Sequence, residues 1–209
     1  MKNGSVKYDS TRYTPIHMPH RTEITGFMSI LHGDVRFYNN VFVQQPVREK
    51  MLEIVADYKD NEWEDENLTA GTLTYSGYMT EAQWKACFDG YCGEGAAQSR
   101  DRYYMPLPVW TGGNVFFNGA KPCDIEQDYT EDTQHHITLE LKEEDGVYRL
   151  ETNLMEYLPE AKLITSDTLG MAFEPEERFE TPEGEDIIFD TDFYGDCRLN
   201  NLVAGPFSK

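Results

Sequence analysis

The chain has 209 residues, of which 39% are hydrophobic and 13% aromatic, and this is too aromatic for a disordered protein. Acidic side chains outnumber basic ones 38 to 18, so the net charge of −20 would repel nucleic acid and anionic membranes. No apolar stretch approaches the roughly 18 residues of a membrane span, and the first residues lack a signal-peptide pattern. We therefore expect a folded cytoplasmic protein with no nucleic-acid or membrane partner.

Two β-prone runs, residues 22–31 and 35–43, come first along the chain. In the second run Val35 and Phe37 alternate with more polar neighbours, which is the period of a strand with one covered face. An Asn39-Asn40 pair then interrupts the run, and asparagine tolerates the backbone angles of a sharp bend. A strand, a bend and a second strand form the pattern by which one coil of a β-solenoid turns a corner.

The tripeptide Asn-Val-Phe of residues 40–42 recurs at residues 114–116. Two similar segments in similar settings favour two coils of the same kind. Two copies do not establish a repeat period, for which about three are needed.

Helices are predicted between the two copies. Residues 46–58 (PVREKMLEIVADY) place apolar side chains at helical spacing behind Pro46. Residues 80–88 begin with Thr80 as an N-cap and have Gln83 as its capping-box partner. We interpret residues 46–106 as a helical and loop insertion that packs against the solenoid.

The second half of the chain contains a hairpin signal. Residues 137–142 and 147–152 flank an Asp145-Gly146 turn dipeptide, which predicts a β-hairpin with one wet face. An acidic stretch at residues 174–185 predicts an exposed loop, and residues 187–189 (IIF) predict a last strand.

Metal and cofactor signals are weak. The cysteines are Cys87, Cys92, Cys123 and Cys197. Their spacing fits neither a zinc site nor a dense disulfide framework, so we expect free, mostly buried thiols, with a Cys87–Cys92 bridge as an open alternative. His135 and His136 would point oppositely on a strand, which favours exposed side chains over metal ligands. No metal and no cofactor is predicted.

Three segments carry a resemblance to a known family. Residues 13–26 (YTPIHMPHRTEITG), followed by residues 34–43 (DVRFYNNVFV), and residues 107–122 (LPVWTGGNVFFNGAKP) resemble glycoside hydrolase family 120, the β-xylosidases built on a right-handed parallel β-helix. Residues 192–207 resemble the end of many β-helix carbohydrate enzymes. The matches occur in the family's order and span nearly the whole chain.

The resemblance implies a mainly β fold, namely the C-terminal coils of the β-helix with a short helical insertion and a hairpin. The implied divisions are residues 1–45, which hold coils and a sugar-cleft loop, 46–106, which form the insertion, and 107–209, which hold the remaining coils, the hairpin and a C-terminal cap. The family's catalytic carboxylate pair lies before the matching segment, so the catalytic residues are unknown here and this chain alone is expected to be inactive. A missing N-terminal half, a second chain or self-association would cover the open edge of the cut solenoid.

A polar cluster supplies the predicted substrate-binding residues, which are His17, His20, Arg21 and Glu23. Imidazole, guanidinium and carboxylate groups bind sugar hydroxyls by directional hydrogen bonds, and dense polar clusters on loops are often functional. The other reading is that these groups satisfy one another and tie the loop down. Trp84 and Trp110 are weaker candidates for stacking on a sugar ring, since large aromatic side chains more often belong to a core.

The predicted function is therefore one wall of the sugar cleft of a retaining β-xylosidase-like enzyme of xylan breakdown, with a xylo-oligosaccharide or related neutral sugar as ligand. The alternative is a non-catalytic β-rich module that binds carbohydrate or has a structural role. A lyase on the same fold is disfavoured, because the charge of −20 opposes an anionic sugar.

Overall fold

The computed structural model describes residues 13–17, 20–29, 33–50, 52–53, 69–86, 107–173 and 175–208. Strands dominate this part of the chain, in agreement with the predicted mainly β class. In order they are β1 (Tyr13–His17), β2 (Ile24–Ser29), β3 (Val35–Tyr38), β4 (Val41–Val43), β5 (Val109–Gly112), β6 (Val115–Phe117), β7 (Thr130–Asp132), β8 (Leu139–Glu144) and β9 (Val147–Thr152). The helices are α1 (Glu81–Ala86) and α2 (Ser166–Leu169), with 3-10 turns at Leu73–Tyr75 and Leu154–Glu156.

The centre of the fold is a set of parallel strands in constant register. β3 pairs with β5, and β4 pairs with β6, which in turn pairs with β7, all in parallel. Val35 lies opposite Val109 and Val41 lies opposite Val115, so the partners are 74 positions apart in both sheets. The strand–bend–strand unit of residues 35–43 therefore lies on that of residues 109–117, and the two Asn-Val-Phe tripeptides are direct neighbours.

Each of the stacked strand–bend–strand units, which we call levels, has the same backbone conformation at its bend. Asn39, Gly113 and Asp128 have φ values of 54°, 66° and 48°. This left-handed region favours glycine, asparagine and aspartate over other residues. At Gly113 a Cβ atom would also lie 2.5 Å from the Asn39 Oδ1 atom, so glycine is required there for space as well.

In the sheet formed by β4, β6 and β7, the central strand β6 is buried on both faces. Its successive side chains point to opposite sides of the sheet. On one face Phe42 stacks on Phe116, with ring centroids 5.2 Å apart and an interplanar angle of 10°. Val115 and Phe117 point to the other face. They pack there against side chains from the C-terminal half, which are Ile137, Leu154, Leu158, Val203 and Ala204.

The predicted insertion contributes one bridge to the parallel stack and one capped helix. Gly71 forms a parallel bridge with Lys121, and the α1 helix begins after Thr80. Thr80 and Gln83 exchange the expected capping-box bonds, since the Thr80 N–H donates to Gln83 Oε1 at 2.9 Å and the Gln83 N–H donates to Thr80 Oγ1 at 3.3 Å. Of the first predicted helix, residues 49, 50, 52 and 53 are helical. Residues 54–58, 87 and 88 lie outside the described residues.

The predicted hairpin is confirmed as β8 and β9, joined by Asp145 and Gly146 with φ values of 52° and 78°. Its apolar face, however, is also exposed. Leu141 is 66% exposed and Tyr148 is 63% exposed. The prediction that only one face of the hairpin is exposed is therefore wrong for the described residues, since none of them covers the apolar face.

One other expectation is wrong. Residues 187–189 form no strand, because Ile188 makes only an isolated bridge with Thr165. Cys123 is buried as expected, whereas Cys197 is exposed and forms an isolated antiparallel bridge with Thr191. Cys87 and Cys92 lie outside the described residues. Within the described ranges no helix is long and apolar enough to cross a membrane.

Candidate functional site

The four predicted binding residues lie on the β1–β2 hairpin and all are exposed. His17 ends β1, and its Nδ1 atom lies 3.2 Å from the Thr22 carbonyl oxygen. Arg21 and Glu23 form a pair with 3.9 Å between Nη1 and Oε2, which is a loose contact in water and contributes little to stability. The hairpin thus brings these side chains together at its turn with their polar atoms accessible. Their binding role stays a prediction.

The two predicted stacking residues, Trp84 and Trp110, are engaged by other side chains. The Arg36 guanidinium lies over Trp110, with its Cζ atom 3.9 Å from the ring centroid. Trp84 meets Phe173 edge to face at 4.9 Å, and Phe173 lies 6.2 Å from Trp110. These contacts favour packing over sugar stacking for the covered faces of both indoles.

Arg36, which the sequence reasoning did not single out, ties β3 to the C-terminal half. It pairs with Asp34, and it donates to the carbonyl oxygens of Leu169 and Met171 at 3.0 and 2.5 Å. The guanidinium also lies over Phe179, at 4.8 Å from the ring centroid. The sequence did hold one indication of this role, namely an arginine between Val35 and Phe37. A cation on a partly buried strand needs a specific partner.

A cleft of about 470 Å³ opens between the strands and α1, and we call it the Trp110 cleft. Its walls include Tyr38, Thr80, Glu81, Lys85, Trp110 and Gln127. Burial raises the pKa of Tyr38 against the opposing charge of Arg36, so its phenol is neutral and able to donate a hydrogen bond at neutral pH. Aromatic walls with a few hydrogen-bonding groups are typical of sites for small uncharged ligands.

A second unpredicted group is Glu126, whose carboxylate reaches the interior of the stack. It accepts hydrogen bonds from the hydroxyls of Thr72 and Thr111 at 2.6 and 2.7 Å, and from the Asn114 amide at 2.6 Å. Three donors satisfy this carboxylate, which indicates a structural anchor. The sequence gave little indication of this anchoring role for Glu126, because its partner Thr72 lies 54 positions away along the chain.

Cys123 lies beside this network, with its Sγ atom 3.9 Å from Glu126 Oε2. Burial raises the pKa of the thiol. The charges of Glu126 and Asp124 add to the increase, and a hydrogen bond with Thr72 opposes it. Since the thiolate is the reactive form, Cys123 is protonated and unreactive at neutral pH.

The exposed positions predicted for His135 and His136 are confirmed. His135 Nδ1 lies 2.8 Å from Asp132 Oδ2, and its ring stacks on Tyr157 at 4.2 Å. The hydrogen bond from His135 lowers the pKa of Asp132. In the part of the chain that the structure describes, no three histidine, cysteine or acidic side chains gather as a metal site would require.

Comparison with known proteins identifies one fold relative. The solved structure of XylC in complex with xylose matches with a TM-score of 0.66 and 24% sequence identity. The match covers 95% of this chain and 28% of XylC, so the chain spans a little over a quarter of the length of that protein. No protein-family model and no curated protein sequence matches the chain. The likeness shows a shared fold.

Proposed function

We propose that this chain forms the C-terminal coils of a right-handed parallel β-helix in a β-xylosidase-like retaining glycoside hydrolase of family 120. The observation that carries the proposal is the fold shared with XylC over 95% of this chain, together with the xylose bound in that structure. In line with the family resemblance, the catalytic carboxylate pair is proposed to lie before the matching segment and so outside this chain; the match, which spans 28% of XylC, leaves room for it elsewhere in such an enzyme.

The parallel register supports the β-helix. Two separate sheets hold partners at the same spacing of 74 positions, and the next level follows 15 positions on, where Val115 pairs with Thr130 and Gly112 with Gln127. A constant spacing in two sheets is the arrangement produced by stacking one coil on another. Residues 1–45 and 107–209 would then supply coils. Residues 46–106 would be an insertion that touches the stack at Gly71.

The proposed ligand is a xylo-oligosaccharide or a related neutral sugar. The net charge of −20 disfavours an anionic substrate. The β1–β2 hairpin offers imidazole, guanidinium and carboxylate groups in water, and these both donate to and accept from hydroxyls. His17, His20, Arg21 and Glu23 would form one wall of the sugar cleft, and the rest of the enzyme or a second chain would complete it.

Two measurements on the full 209-residue chain test this function. Calorimetric titration with xylobiose should show binding, and the double variant His20→Ala/Arg21→Ala should bind at least tenfold more weakly. The matched control is His136→Ala/Arg149→Ala, which removes an exposed histidine and an exposed arginine elsewhere and should bind as the parent does. Equal affinity in the parent and in the hairpin variant would refute the proposal that the hairpin residues form a wall of the sugar cleft.

The second measurement is hydrolysis of 4-nitrophenyl β-xyloside by the chain alone, where no turnover is expected. Sustained turnover that follows enzyme concentration would place the carboxylate pair within this chain and overturn that part of the proposal.

A non-catalytic carbohydrate-binding or structural module is the second candidate. It is favoured by Glu126, whose carboxylate is held by three donors and not directed to a substrate. This candidate predicts sugar binding without hydrolysis even when the remaining part of an enzyme is supplied. Restored hydrolysis on adding a separately expressed N-terminal part would exclude it.

A further inference from the structure

A short loop near the C-terminus presents two large aromatic side chains to solvent. Phe193 is 73% exposed and Tyr194 is 74% exposed, and both rings lie near Phe207, at centroid distances of 6.0 and 5.9 Å. Phe193 and Tyr194 meet edge to face at 5.4 Å. The contacts fix the rings against one another and leave most of their surface open.

Hydrogen bonds hold the loop in one shape. The Asp192 carboxylate accepts from the backbone N–H groups of Tyr194 and Asp196 at 2.9 and 3.0 Å, and the Phe193 N–H donates to the Pro206 carbonyl at 2.7 Å. Desolvation raises the pKa of Asp192, but the hydrogen bonds outweigh it and the pKa is lowered. Exposed aromatic side chains on a fixed loop indicate a recognition surface, because little ordering entropy is then lost on binding.

The loop forms the rim of a cleft of about 570 Å³, which we call the C-terminal cleft. This volume lies within the roughly 300–1,000 Å³ usual for small-molecule sites. Its lining combines aliphatic side chains such as Ile164 and Leu169 with polar and aromatic ones, among them Arg36, Tyr38, Asn40, Asp192, Phe193 and Arg198.

Arg198 is a buried cation in this cleft, with only 7% of its surface exposed. Its guanidinium donates to the carbonyl oxygens of Gly205, at 2.9 Å, and of Val203. Among the described residues, its Nε–H has no acceptor and no carboxylate forms a salt bridge with it. A buried donor without an acceptor is costly, and a bound oxygen atom would relieve that cost.

We propose that the C-terminal cleft is a second sugar site, in which a neutral pyranose stacks on Phe193 at the rim and its hydroxyls meet Arg198 and Asp192. Tyr194 does not line the cleft, but its ring lies beside Phe193 and extends the aromatic surface for the next sugar unit. The cleft carries charges of both signs. An anionic ligand would be repelled by Asp192, and a cationic ligand would be repelled by Arg36 and Arg198. A hydroxyl both donates and accepts, which suits such a lining. The choice of a xylo-oligosaccharide as the sugar rests on the proposed function.

The test is titration of the full chain with xylotetraose, followed by calorimetry. Tyr194→Ala should weaken binding at least tenfold, and Tyr194→Phe, which keeps the ring, should stay within about twofold of the parent. The control is Tyr148→Ala, which removes another well-exposed tyrosine, on β9, and should leave affinity unchanged. Thermal unfolding of each variant checks that the loop changes do not unfold the protein.

The outcomes separate this inference from the proposed function. If Tyr194→Ala binds as the parent does while His20→Ala/Arg21→Ala does not bind, the C-terminal site is refuted and the hairpin site stands. Loss of binding in Tyr194→Ala alone supports the C-terminal site and removes the hairpin from the sugar cleft. If the parent shows no xylotetraose binding but forms a dimer that Tyr194→Ala dissociates, the aromatic loop is a protein interface and the proposal is wrong.

Discussion

Asn114→Ala is the substitution that most directly tests how the stacked strands hold together. The Asn114 side chain is fully buried and links two levels of the stack. Its Oδ1 accepts from the Asn40 backbone N–H at 2.8 Å, and its Nδ2 donates to the Phe37 carbonyl at 2.8 Å and to Glu126 Oε1 at 2.6 Å. Alanine removes these three bonds at once, together with those to the Asn40 side-chain amide and the Thr111 hydroxyl.

The expected loss follows from the groups left behind. A buried backbone donor or acceptor without a partner costs about 1–3 kcal/mol, and a hydrogen bond to a charged group is worth about 1.5–3 kcal/mol. Partial relaxation and water entry reduce the total, so we expect a loss of about 4 kcal/mol from a total stability of about 5–15 kcal/mol. For a chain of this length that corresponds to a fall in the melting temperature of about 8–16 °C.

Urea unfolding followed by circular dichroism measures this loss, and exposed Asn200→Ala provides the control, with a change below about 0.5 kcal/mol. Asn114→Asp sharpens the test, because it keeps an acceptor and places a second carboxylate beside Glu126. This variant should be strongly destabilised at neutral pH and should recover part of the loss in acid. A loss below about 1 kcal/mol in Asn114→Ala would refute the argument that the asparagine holds the two levels in register.

Three further predictions concern the core, the bend and a surface pair. Phe116→Ala should cost about 3–5 kcal/mol in urea unfolding, because the ring is fully buried in a cluster with Phe42 and Ala120. Gly113→Ala should destabilise by more than about 1 kcal/mol, since its φ is positive and its Cβ would lie 2.5 Å from Asn39 Oδ1. Gly119 also has a positive φ, of 92°, but has open space around its Cβ, so Gly119→Ala should be milder in the same assay because it lacks the clash. Asp132 has a lowered pKa through His135, so its stabilising contribution is present above its ordinary pKa of 3.8 and is lost as the pH falls through the lower folded value. Asp132→Asn should therefore reduce stability at neutral pH and have a smaller effect near pH 3; an equal effect at both pH values would contradict this.

Short-range signals in the sequence predicted their elements correctly. The Asn39-Asn40 bend, the Thr80 capping box and the Asp145-Gly146 turn each depend on residues within four positions of one another. Local backbone preference and local hydrogen bonding decide such features, so they can be read before any tertiary contact is known.

Long-range partners were not predictable in this way. Arg36 reaches Leu169 across 133 positions, and Asp34 accepts from the Phe173 N–H across 139 positions. Nothing local to Arg36 specifies those carbonyl groups. The predicted strand at residues 187–189 failed for the same reason, because Ile188 had no neighbouring strand to extend its single bridge.

The sequence by itself determined the mainly β character, the bends, the capped helix and the hairpin, because each arises from a preference that acts within a few residues. The tertiary structure alone decided that residues 40–42 lie on residues 114–116, that Glu126 and Arg36 are internal anchors, and that Asp192 and Phe193 border a cleft with Arg198. These outcomes depend on which distant segments share a surface. Packing and hydrogen-bond satisfaction over the whole chain select those segments.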